Sequence, residues 1–475
     1  MALNKTVHFE TLGCRLNQIE TEGAAEFFYQ RGWNVQMKAA AARDAEDPAV
    51  SLCVLNTCAV TGKAEQKARR TINLLLKKFP AAALIVTGCY AQLSPAQIAA
   101  MDKRVVVLPG KAKSALSRVP DLLAQDFDAA DLRNILQDQD AAQDKNAAAV
   151  DPFVLLPKTF FAHSRSSIKI QDGCDNCCSF CAIHIARGKS VSIPASLALE
   201  RVVALEEAGQ SEVVLTGVNI GQYKGEWQGG AIGIAELLQL LLERTQKIAI
   251  RFSSIYPETV TQRFAEVIKS PRVRPHFHIS VQSGSDAILK RMNRRYTRST
   301  VIQACGRLKE AKQKPFLACD IITGFPGETD GDFAQTLSLL KEAGFVNAHA
   351  FPYSPRPGTA AANFTPKIPE RIKDQRVAAL NEYSSAAKIA YINSFAGTVR
   401  PAIAESVHGS AANSVPQGKK LVRATTDNFI HAEILLDQTA AVPQDGQPIM
   451  VKILSANESA IRQGAEWEAL AELAN

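Results

Sequence analysis

The sequence predicts an α/β protein with more than one domain, and three observations carry that prediction. A chain of 475 residues is too long for one hydrophobic core. Strand-like segments alternate with helix-like segments over most of the chain, and the last part changes to short strands between turns. We therefore expect domains at 1–115, 159–396 and 397–475, with an acidic, Ala/Asp/Gln-rich connector at 116–158.

The first domain is predicted to contain a parallel sheet, because its three strand-like segments are separated by helical patterns. These strands are VHFETL, SLCVLNT and ALIVTG, and a cysteine follows each of them directly: Cys14, Cys58 and Cys89. The carboxyl ends of parallel strands meet at one edge of a sheet, so these strand-end cysteines are expected to converge there. The alternative is three buried structural cysteines.

The second domain repeats the strand–helix unit six times, which predicts a partial (β/α)6 barrel. Its strands are SIKIQ, EVVLTG, IAIRFSS, FHISVQ, FLACDIITG and VNAHAF. Chemistry in such barrels lies at the carboxyl ends of the strands. The third domain reads as TVRPAIAESV, KKLVRATT, FIHAEILL and QPIMVKILSA between turn residues, which predicts a small β-barrel of a kind that can bind nucleic acid.

Four cysteines follow the first barrel strand in the stretch IQDGCDNCCSFCAIH. Read as two Cys-x-x-Cys pairs, Cys174/Cys177 and Cys178/Cys181, they suggest zinc, although adjacent pairs leave little backbone to wrap an ion. Read as Cys-x-x-x-Cys-x-x-Cys, the loop cysteines Cys174, Cys178 and Cys181 suggest an iron–sulfur cluster with one open iron. Cys177 is then the spare, turned away from the metal.

Composition narrows the class of protein further. Hydrophobic residues make up 46% of the chain and charged residues 21%, as in ordinary globular proteins. No stretch approaches the ~18 apolar residues needed to span a bilayer, so we expect a cytoplasmic protein without a membrane partner. Basic residues outnumber acidic ones six to one in 62–78 and nine to one in 290–314. Such segments suit a polyanionic partner, or else are solvated helix faces.

The motifs resemble those of a known family. The loop cysteines at the end of the first barrel strand resemble the radical S-adenosylmethionine superfamily. TLGCRLNQIETE, NTCAVTGKAEQKARR and GCYAQ resemble the cysteine motifs of methylthiotransferases within it, and LTGVNIGQY, SVQSGSDAILKRMNRRYT, DIITGFPGETDGDF and FPYSPRPGT resemble that family's barrel motifs. The resemblance covers about residues 6 to 360, and the third domain matches the family's RNA-binding β-barrel more loosely.

The resemblance implies a reaction and its cofactors. Methylthiotransferases carry two [4Fe–4S] clusters, here an auxiliary one on Cys14, Cys58 and Cys89 and a radical-generating one on Cys174, Cys178 and Cys181. S-adenosylmethionine supplies the methyl group and the radical that removes hydrogen from an unactivated C–H bond. An electron donor and a sulfur source are implied as further partners. No Ser/His/Asp or paired-carboxylate constellation is seen, as expected for a C–H bond without an acidic proton.

The substrate implied is threonylcarbamoyladenosine beside the anticodon of tRNA, modified at carbon 2, because MNRRYT and FPYSPRPGT look most like that branch. Alternatives are a sister enzyme that acts on isopentenyladenosine in tRNA and a non-catalytic, metal-stabilised RNA-binding protein. This chain departs from the branch at Tyr256, where the branch usually has Glu; Glu258 lies two residues on.

Further site residues are predicted from position. Contacts to S-adenosylmethionine are expected from Phe180, Gly217, Gln282 and Gly324. Contacts to the phosphates of the tRNA anticodon stem-loop are expected from Lys63, Lys67, Arg70, Arg294 and Arg295. His276, His278, Ser280 and Gln282 alternate along one strand, so they are predicted to share the face that lines the barrel interior. Arg187 is predicted to pair either with an anionic substrate group or with a surface acid.

Overall fold

The computed structural model describes residues 5–123, 127–136, 151–157, 166–405, 415 and 418–474. It contains a five-stranded parallel sheet, a half-open barrel of parallel strands and a closed five-stranded barrel, which confirms the predicted fold class. Among the described residues, no helix combines the length and the apolar character needed to cross a membrane.

The first domain is built around a sheet whose strands are all parallel and stand in the order β2-β1-β3-β4-β5. The three predicted strands are present, and two strands of three residues each were not predicted. The bounds are Thr6–Thr11 (β1), Asn34–Gln36 (β2), Val50–Thr57 (β3), Ala83–Gly88 (β4) and Val105–Val107 (β5).

Helices cover this sheet and extend its core into the expected connector. They are Arg15–Gln30 (α1), Gly62–Lys78 (α2), Cys89–Leu93 (α3), Pro95–Ala99 (α4) and Val119–Leu122 (α5), with a 3-10 helix at Gly110–Ser117 and a helical segment at 129–136. Leu132 and Leu155 of the connector share a buried cluster with Phe9 and Phe28. Its remaining positions, 124–126, 137–150 and 158, lie outside the described residues.

The six predicted barrel strands follow one another in chain order. Two hydrogen-bonded sheets form the half barrel, β6-β9-β12 and β13-β14-β15-β16. The third predicted strand is divided at Ser253, because β12 before it pairs with β9 and β13 after it pairs with β14. Two small antiparallel pairs, β7 with β8 and β10 with β11, decorate it. The strands are Ser166–Lys169 (β6), Gln171–Asp172 (β7), Val191–Ser192 (β8), Glu212–Thr216 (β9), Gly225–Trp227 (β10), Gly230–Ile232 (β11), Ala249–Phe252 (β12), Ser254–Ile255 (β13), His276–Gln282 (β14), Phe316–Thr323 (β15) and Asn347–Pro352 (β16).

The helices of this domain pack against the outer face of the half barrel and bury its apolar side chains. Two of them begin with capping boxes, at Thr297 and Thr329, which satisfy the free amides of their first turns. The helices are Ile183–Arg187 (α6), Ala195–Glu207 (α7), Ile234–Arg244 (α8), Gln262–Ile268 (α9), Asp286–Arg291 (α10), Arg298–Ala311 (α11), Asp330–Ala343 (α12) and Glu370–Asn393 (α13), with 3-10 turns at Ile220–Gln222, Pro257–Thr259 and Ala360–Asn363.

The C-terminal barrel closes in the order β17-β18-β19-β21-β20. Its fifth strand, Ala469–Leu473, was not predicted. The elements are Val399–Glu405 (β17), Lys419–Thr426 (β18), His431–Asp437 (β19), Pro448–Ala456 (β20), Glu458–Arg462 (α14) and Ala469–Leu473 (β21). Phe429 stacks on His276 at 3.8 Å between ring centroids. Because His276 begins β14, the C-terminal barrel covers the amino ends of the central strands.

Candidate functional site

The three strand-end cysteines lie together at one edge of the first sheet. Cys14 caps the start of α1, Cys58 follows β3 and Cys89 begins α3. Their strands β1, β3 and β4 are adjacent, and the thiol of Cys58 interacts electrostatically with those of Cys14 and Cys89. The structure therefore has the convergence expected from the parallel topology.

Two features lock the turns that carry these cysteines. Gly13 has φ +107°, and a Cβ atom placed there would lie 2.4 Å from the Cβ of Cys58, so the chain needs glycine at this point. The side-chain amide of Asn17 donates to the carbonyl oxygens of Leu12 (3.0 Å) and Thr57 (3.1 Å). The two turns are thus held to each other by one side chain of α1.

The chemistry of these thiols suits a metal cluster. Burial raises the pKa of Cys58 to about 11 and also raises the pKa of Cys89. All ten cysteines are free, so the neighbouring thiols form no disulfide. No group of three or more His, Cys, Asp or Glu side chains in the described ranges could hold a single metal ion. In a four-iron cluster each thiolate binds a different iron, and binding displaces the thiol protons, so the donor set fits such a cluster.

The loop cysteines differ from Cys177 in exposure. Cys174 and Cys178 are buried and Cys181 is half-buried, whereas Cys177 is exposed. The backbone carbonyl of Cys177 accepts a hydrogen bond of 2.7 Å from the side chain of Asn293. This arrangement fits the interpretation with three ligands and Cys177 as the spare.

Backbone amides point at two of the loop sulfurs. The amide of Asn176 donates to the Sγ of Cys174 at 3.4 Å, and the amide of Ile183 donates to the Sγ of Cys181 at 3.5 Å. The side chain of Asn219, which sequence reasoning missed, also hydrogen-bonds to Cys174. Hydrogen bonds to sulfur tune iron–sulfur centres, so this loop has the donors that such a centre uses.

The loop is fixed at both ends. A Cβ on Gly173 would lie 1.9 Å from the carbonyl oxygen of Lys189, so the entry turn, with φ +67°, needs glycine. Further along, Ser179 donates its amide to the carbonyl of Met292 (3.0 Å) and its hydroxyl to that of Arg291 (2.8 Å). The end of α10 therefore supports the cysteine loop.

One cysteine of each set lines a shared small cavity. This cavity measures about 70 Å³ and is lined by Cys89 from the first domain and Cys181 from the central domain, together with Phe180, Ala186 and Arg356. Arg356 also forms an ion pair with Glu65 of α2, which joins the two domains beside the cavity. A group held at one set of cysteines would therefore face a group held at the other.

Arg187 lies beside the strand-end cysteines in a buried network of charges. Its guanidinium contacts the carboxylates of Glu20 (2.9 Å) and Asp172 (3.0 Å), and Lys169 contacts Glu20 at 2.7 Å. Lys113 binds Glu20 as well. Burial alone would raise the pKa of Glu20, but Arg187, Lys113 and Lys169 hold it well below its usual value. The prediction of a substrate contact or a surface pair for Arg187 is thus wrong, because its partners are buried protein carboxylates.

Two of the four residues predicted to contact S-adenosylmethionine line a cavity of about 220 Å³ at the carboxyl ends of the barrel strands. Phe180 and Gln282 form its walls, with Asp320 and Tyr353. Gln282 has φ +68°, a conformation that costs energy for a residue with a side chain. Strained residues of this kind cluster at functional sites, which agrees with the position of Gln282.

The two predicted glycines have other neighbours. A Cβ on Gly217 would lie 2.9 Å from the Oε1 atom of Gln171, in the loop after β9. A Cβ on Gly324 would lie 2.3 Å from the Cγ of Lys373 on α13, and its amide donates to Glu328 at 2.5 Å. Packing against α13 therefore explains the glycine at 324 without a cofactor.

The polar residues of β14 divide between the two ends of the barrel. His278 contacts Asp320 at 3.0 Å and stacks on His349 at 5.1 Å, whose pKa is lowered to about 4 by burial and by His278. His276 instead meets the C-terminal barrel at Phe429. Of the four alternating residues, only Gln282 at the carboxyl end lines the 220 Å³ cavity.

Four of the five predicted phosphate contacts are exposed, and one is not. Lys63, Lys67 and Arg70 lie exposed on α2, and Arg295 is exposed. The guanidinium of Arg294 instead lies among the rings of Phe180, Tyr256 and Tyr296, at 5.1 to 5.7 Å from their centroids. Its Nε and Nη1 atoms are sealed from solvent. The prediction of a surface phosphate contact is therefore wrong for Arg294, because its side chain turns inward.

Comparison with known proteins agrees with this geometry. The model of the Radical SAM superfamily matches residues 168–340, and the one described as "Uncharacterized protein family UPF0004" matches residues 6–110. A cobalamin-dependent S-adenosylmethionine radical enzyme, OxsB, shares the fold at a TM-score of 0.50 and 14% identity, covering 71% of this chain and 52% of that chain.

Curated relatives cover nearly the whole chain. The threonylcarbamoyladenosine tRNA methylthiotransferase MtaB of Treponema pallidum is 40% identical over 96% of this chain and 99% of its own length. The protein of the same name from Thermotoga maritima is 35% identical over 84% of this chain and 87% of its own. The tRNA-2-methylthio-N(6)-dimethylallyladenosine synthase of Erythrobacter litoralis is 32% identical over 80% and 83%.

The superfamily match implies S-adenosylmethionine and a [4Fe–4S] cluster as cofactors. Identity above 30% over most of both chains excludes the alternative of a non-catalytic RNA-binding protein. The chain belongs to the radical S-adenosylmethionine methylthiotransferase family of enzymes.

Proposed function

We propose that this enzyme adds a methylthio group to carbon 2 of threonylcarbamoyladenosine beside the anticodon of tRNA. Relatives that are 40% and 35% identical to this chain carry that substrate in their names. The observation that carries the proposal is the 70 Å³ cavity between Cys89 and Cys181, because a sulfur-carrying centre and a radical-generating centre must act on one substrate atom. A second [4Fe–4S] cluster, on Cys14, Cys58 and Cys89, belongs to this proposal.

In this proposal the protein positions groups that do the hard chemistry themselves. When bound, the clusters and S-adenosylmethionine supply the sulfur, the methyl group and the radical. The loop cysteines hold one cluster and leave an iron open for the cofactor, and Phe180 offers an aromatic face next to it. The strand-end cysteines hold the second cluster across the cavity. An external electron donor and a sulfur source complete the reaction as partners.

The cluster assignment is tested by anaerobic reconstitution of the full chain. Two four-iron clusters require roughly eight irons with matching sulfide per chain. Cys89→Ala and Cys178→Ala should each lose about half of that iron, since each removes a ligand of one cluster. Cys177→Ala is the matched control and should keep it all, because its thiol is exposed. Equal loss from Cys177→Ala and Cys178→Ala would mean that the wrong three cysteines were chosen.

The substrate is tested by nucleoside analysis of tRNA from a strain that lacks the gene. Loss of the methylthio group from threonylcarbamoyladenosine alone is the expected outcome. Loss from isopentenyladenosine alone would favour the second candidate, which the 32% identical synthase from Erythrobacter litoralis supports. The target base must leave its stack to expose carbon 2 at the cavity.

The tRNA-binding face is proposed to include α2. One exposed face of this helix carries Lys63, Lys67 and Arg70, as their spacing indicates. The helix begins next to the 220 Å³ cavity, where the amide of Gly62 donates a hydrogen bond of 3.1 Å to Ser354. Replacing Lys67 and Arg70 with Ala should weaken tRNA binding. The slope of log affinity against log salt concentration should also become shallower by about two, because two phosphate contacts are lost. An unchanged slope of affinity against salt would contradict this placement.

A further inference from the structure

The face of the central sheet that lines the 220 Å³ cavity also carries polar side chains further from the strand ends. Asp320 of β15 lines the cavity, as do Ile322 and Phe351. His349 lies two residues before Phe351 on β16 and opposite Asp320, so it projects from the same face. His278 of β14 contacts Asp320 at 3.0 Å and stacks on His349 at 5.1 Å between ring centroids. We call His278, Asp320 and His349 the polar wall, which extends the cavity toward the amino ends of the strands.

The polar wall is accessible to a ligand. The side chains of His278 and Asp320 are 20% and 24% exposed, and His349 is exposed. Among the described strands β16 pairs with β15 alone, so the sheet ends beside His349. The three side chains lack the geometry of a metal site, since the part of the chain that the structure describes has no group of three such donors that could hold one ion. An organic ligand with polar groups is therefore the kind of partner that fits this wall.

The polar wall offers both a hydrogen-bond donor and an acceptor. The side-chain amide of Asn347 donates to the Nε2 atom of His349 at 3.0 Å. Because an amide nitrogen only donates, Nε2 is the accepting nitrogen of this ring and Nδ1 carries the proton. The contact with His278 uses the Oδ1 atom of Asp320, and a carboxylate accepts hydrogen bonds through both of its oxygens. One ligand can therefore accept a hydrogen bond from His349 and donate one to Asp320.

The polar wall lies on the side of the cavity away from the reacting atom. The 220 Å³ cavity adjoins the 70 Å³ cavity between Cys89 and Cys181, because Val60 and Phe180 line both. In the proposed function the reacting carbon of the base faces the 70 Å³ cavity. The other edge of such a base is directed to the 220 Å³ cavity, where Asp320 lies. The wall is thus in position to meet a group attached to the base and not the reacting carbon.

The two candidate substrates differ in the group attached to nitrogen 6 of the adenosine. The isopentenyl group is a hydrocarbon, whereas the threonylcarbamoyl group carries N–H, carbonyl, hydroxyl and carboxylate groups. We propose that the polar wall binds the hydrogen-bonding amino-acid arm of the target base and discriminates against an apolar arm. A site built from polar groups rejects a ligand without hydrogen-bonding atoms, because the groups of the site are then left unpaired. The inference rests on the proposed function for its choice of substrates.

The test measures RNA binding and not turnover. Anticodon stem-loops with threonylcarbamoyladenosine, with isopentenyladenosine and with unmodified adenosine are titrated against the reconstituted full chain. His349→Phe keeps a ring and removes both of its nitrogens, and Asp320→Leu removes the carboxylate at similar size. Each variant should weaken binding of the threonylcarbamoyladenosine loop about fivefold to a hundredfold, because one hydrogen-bonding group of the arm loses its partner. Binding of the other two loops should stay unchanged.

The matched control is His276→Phe, at the amino end of the same strand as His278. It also replaces a histidine with phenylalanine, and it keeps a ring against Phe429. This variant should bind all three loops as the wild type does. Iron content and circular dichroism verify that each variant is folded and loaded.

The proposal is overturned if neither wall variant weakens binding of the threonylcarbamoyladenosine loop, or if both weaken all three loops equally. Failure of the proposed function is distinguishable from this result. If tRNA from the deletion strain keeps the methylthio group on threonylcarbamoyladenosine but the wall variants still weaken only the loop with that nucleoside, the polar wall stands and the substrate assignment falls. If the deletion strain loses that group and the variants do not discriminate, the substrate assignment stands and the polar wall falls.

Discussion

Glu20 is the carboxylate shared by the three cations of the buried network beside the strand-end cysteines. Its carboxylate forms ion pairs with Lys169 at 2.7 Å, with Arg187 at 2.9 Å and with Lys113. The three cations come from three separate parts of the chain, while Glu20 belongs to α1 of the first domain. Glu20→Gln keeps the size of the side chain and removes only the charge, so it isolates the electrostatic part of the contact between the domains.

The magnitude is set by the charges that remain. In the native network three cations face two carboxylates, Glu20 and Asp172; after Glu20→Gln they face Asp172 alone. Glu20 and Lys169 are 4% and 0% exposed, so water offers little compensation. Removing one partner of a buried ion pair costs about 3–5 kcal/mol because the other charge stays buried. We expect a loss of that size in the free energy of unfolding at pH 7.

The assay is urea unfolding of the full chain, followed by circular dichroism and by proteolysis at the domain junction. The pKa of Glu20 is held low by its cations, so the contribution of Glu20 to stability is present above pH ~4.5 and is lost as the pH falls through the lower, native pKa. The variant and the wild type should therefore converge in strong acid. A change below about 1 kcal/mol at pH 7 would refute the reasoning.

Glu22, two residues further along α1, is the matched control with the opposite sign. Burial raises its pKa to about 7, with Arg15 acting in the other direction. A native pKa above the unfolded value means that the carboxylate weakens the fold progressively from pH ~4.5 to pH ~7. Glu22→Gln should match the wild type at pH 4.5 and be more stable at pH 8, by up to about 3 kcal/mol. The two variants should thus diverge as the pH rises.

Two further outcomes are expected from packing. Gly13→Ala would place a Cβ 2.4 Å from that of Cys58, so the variant should lose about half of the reconstituted iron. Gly32→Ala, which is also at positive φ but has no atom within 4 Å, is the control and should lose no iron. Equal iron content in the two variants would contradict the role of Gly13. Phe429→Ala removes the ring that stacks on His276 of the central barrel and should lower the free energy of unfolding in urea by about 2 kcal/mol. Leu435→Ala, at an exposed site, is the control and should change this free energy little. Equal effects of the two substitutions would contradict the interface between the barrels.

The strand-end cysteines could be predicted from sequence because two simple rules combine. Short apolar runs separated by helical patterns indicate parallel strands, and the residues that come directly after parallel strands lie at one edge of the sheet. Cys14, Cys58 and Cys89 are 75 residues apart in sequence at their extremes, yet the rule needs only their position after a strand. The spacing of the loop cysteines is local and needs no fold at all.

The features that were not predicted from the sequence depend on contacts between distant parts of the chain. Residues 469–473 read ALAEL, a helix-favouring composition, and form a strand because the C-terminal barrel closes only when β21 pairs with β19 and β20. Arg294 lies in a basic segment, which favours a surface position, and the residues next to Arg187 in sequence do not indicate its partners. Their real environments are rings and carboxylates from other elements, which a local pattern cannot indicate.

The C-terminal barrel and the cysteines lie at opposite ends of the central strands, so the length of these strands fixes the distance between them. Phe429 lies at the amino end of the central strands, whereas the cysteines lie at the carboxyl end. The eight residues of Phe316–Thr323 span about 26 Å at 3.3 Å per residue. An RNA that contacts both ends must therefore extend over at least that distance along the side of the enzyme. Trimming a tRNA to its anticodon loop would leave the reacting end intact and remove any contact at the other.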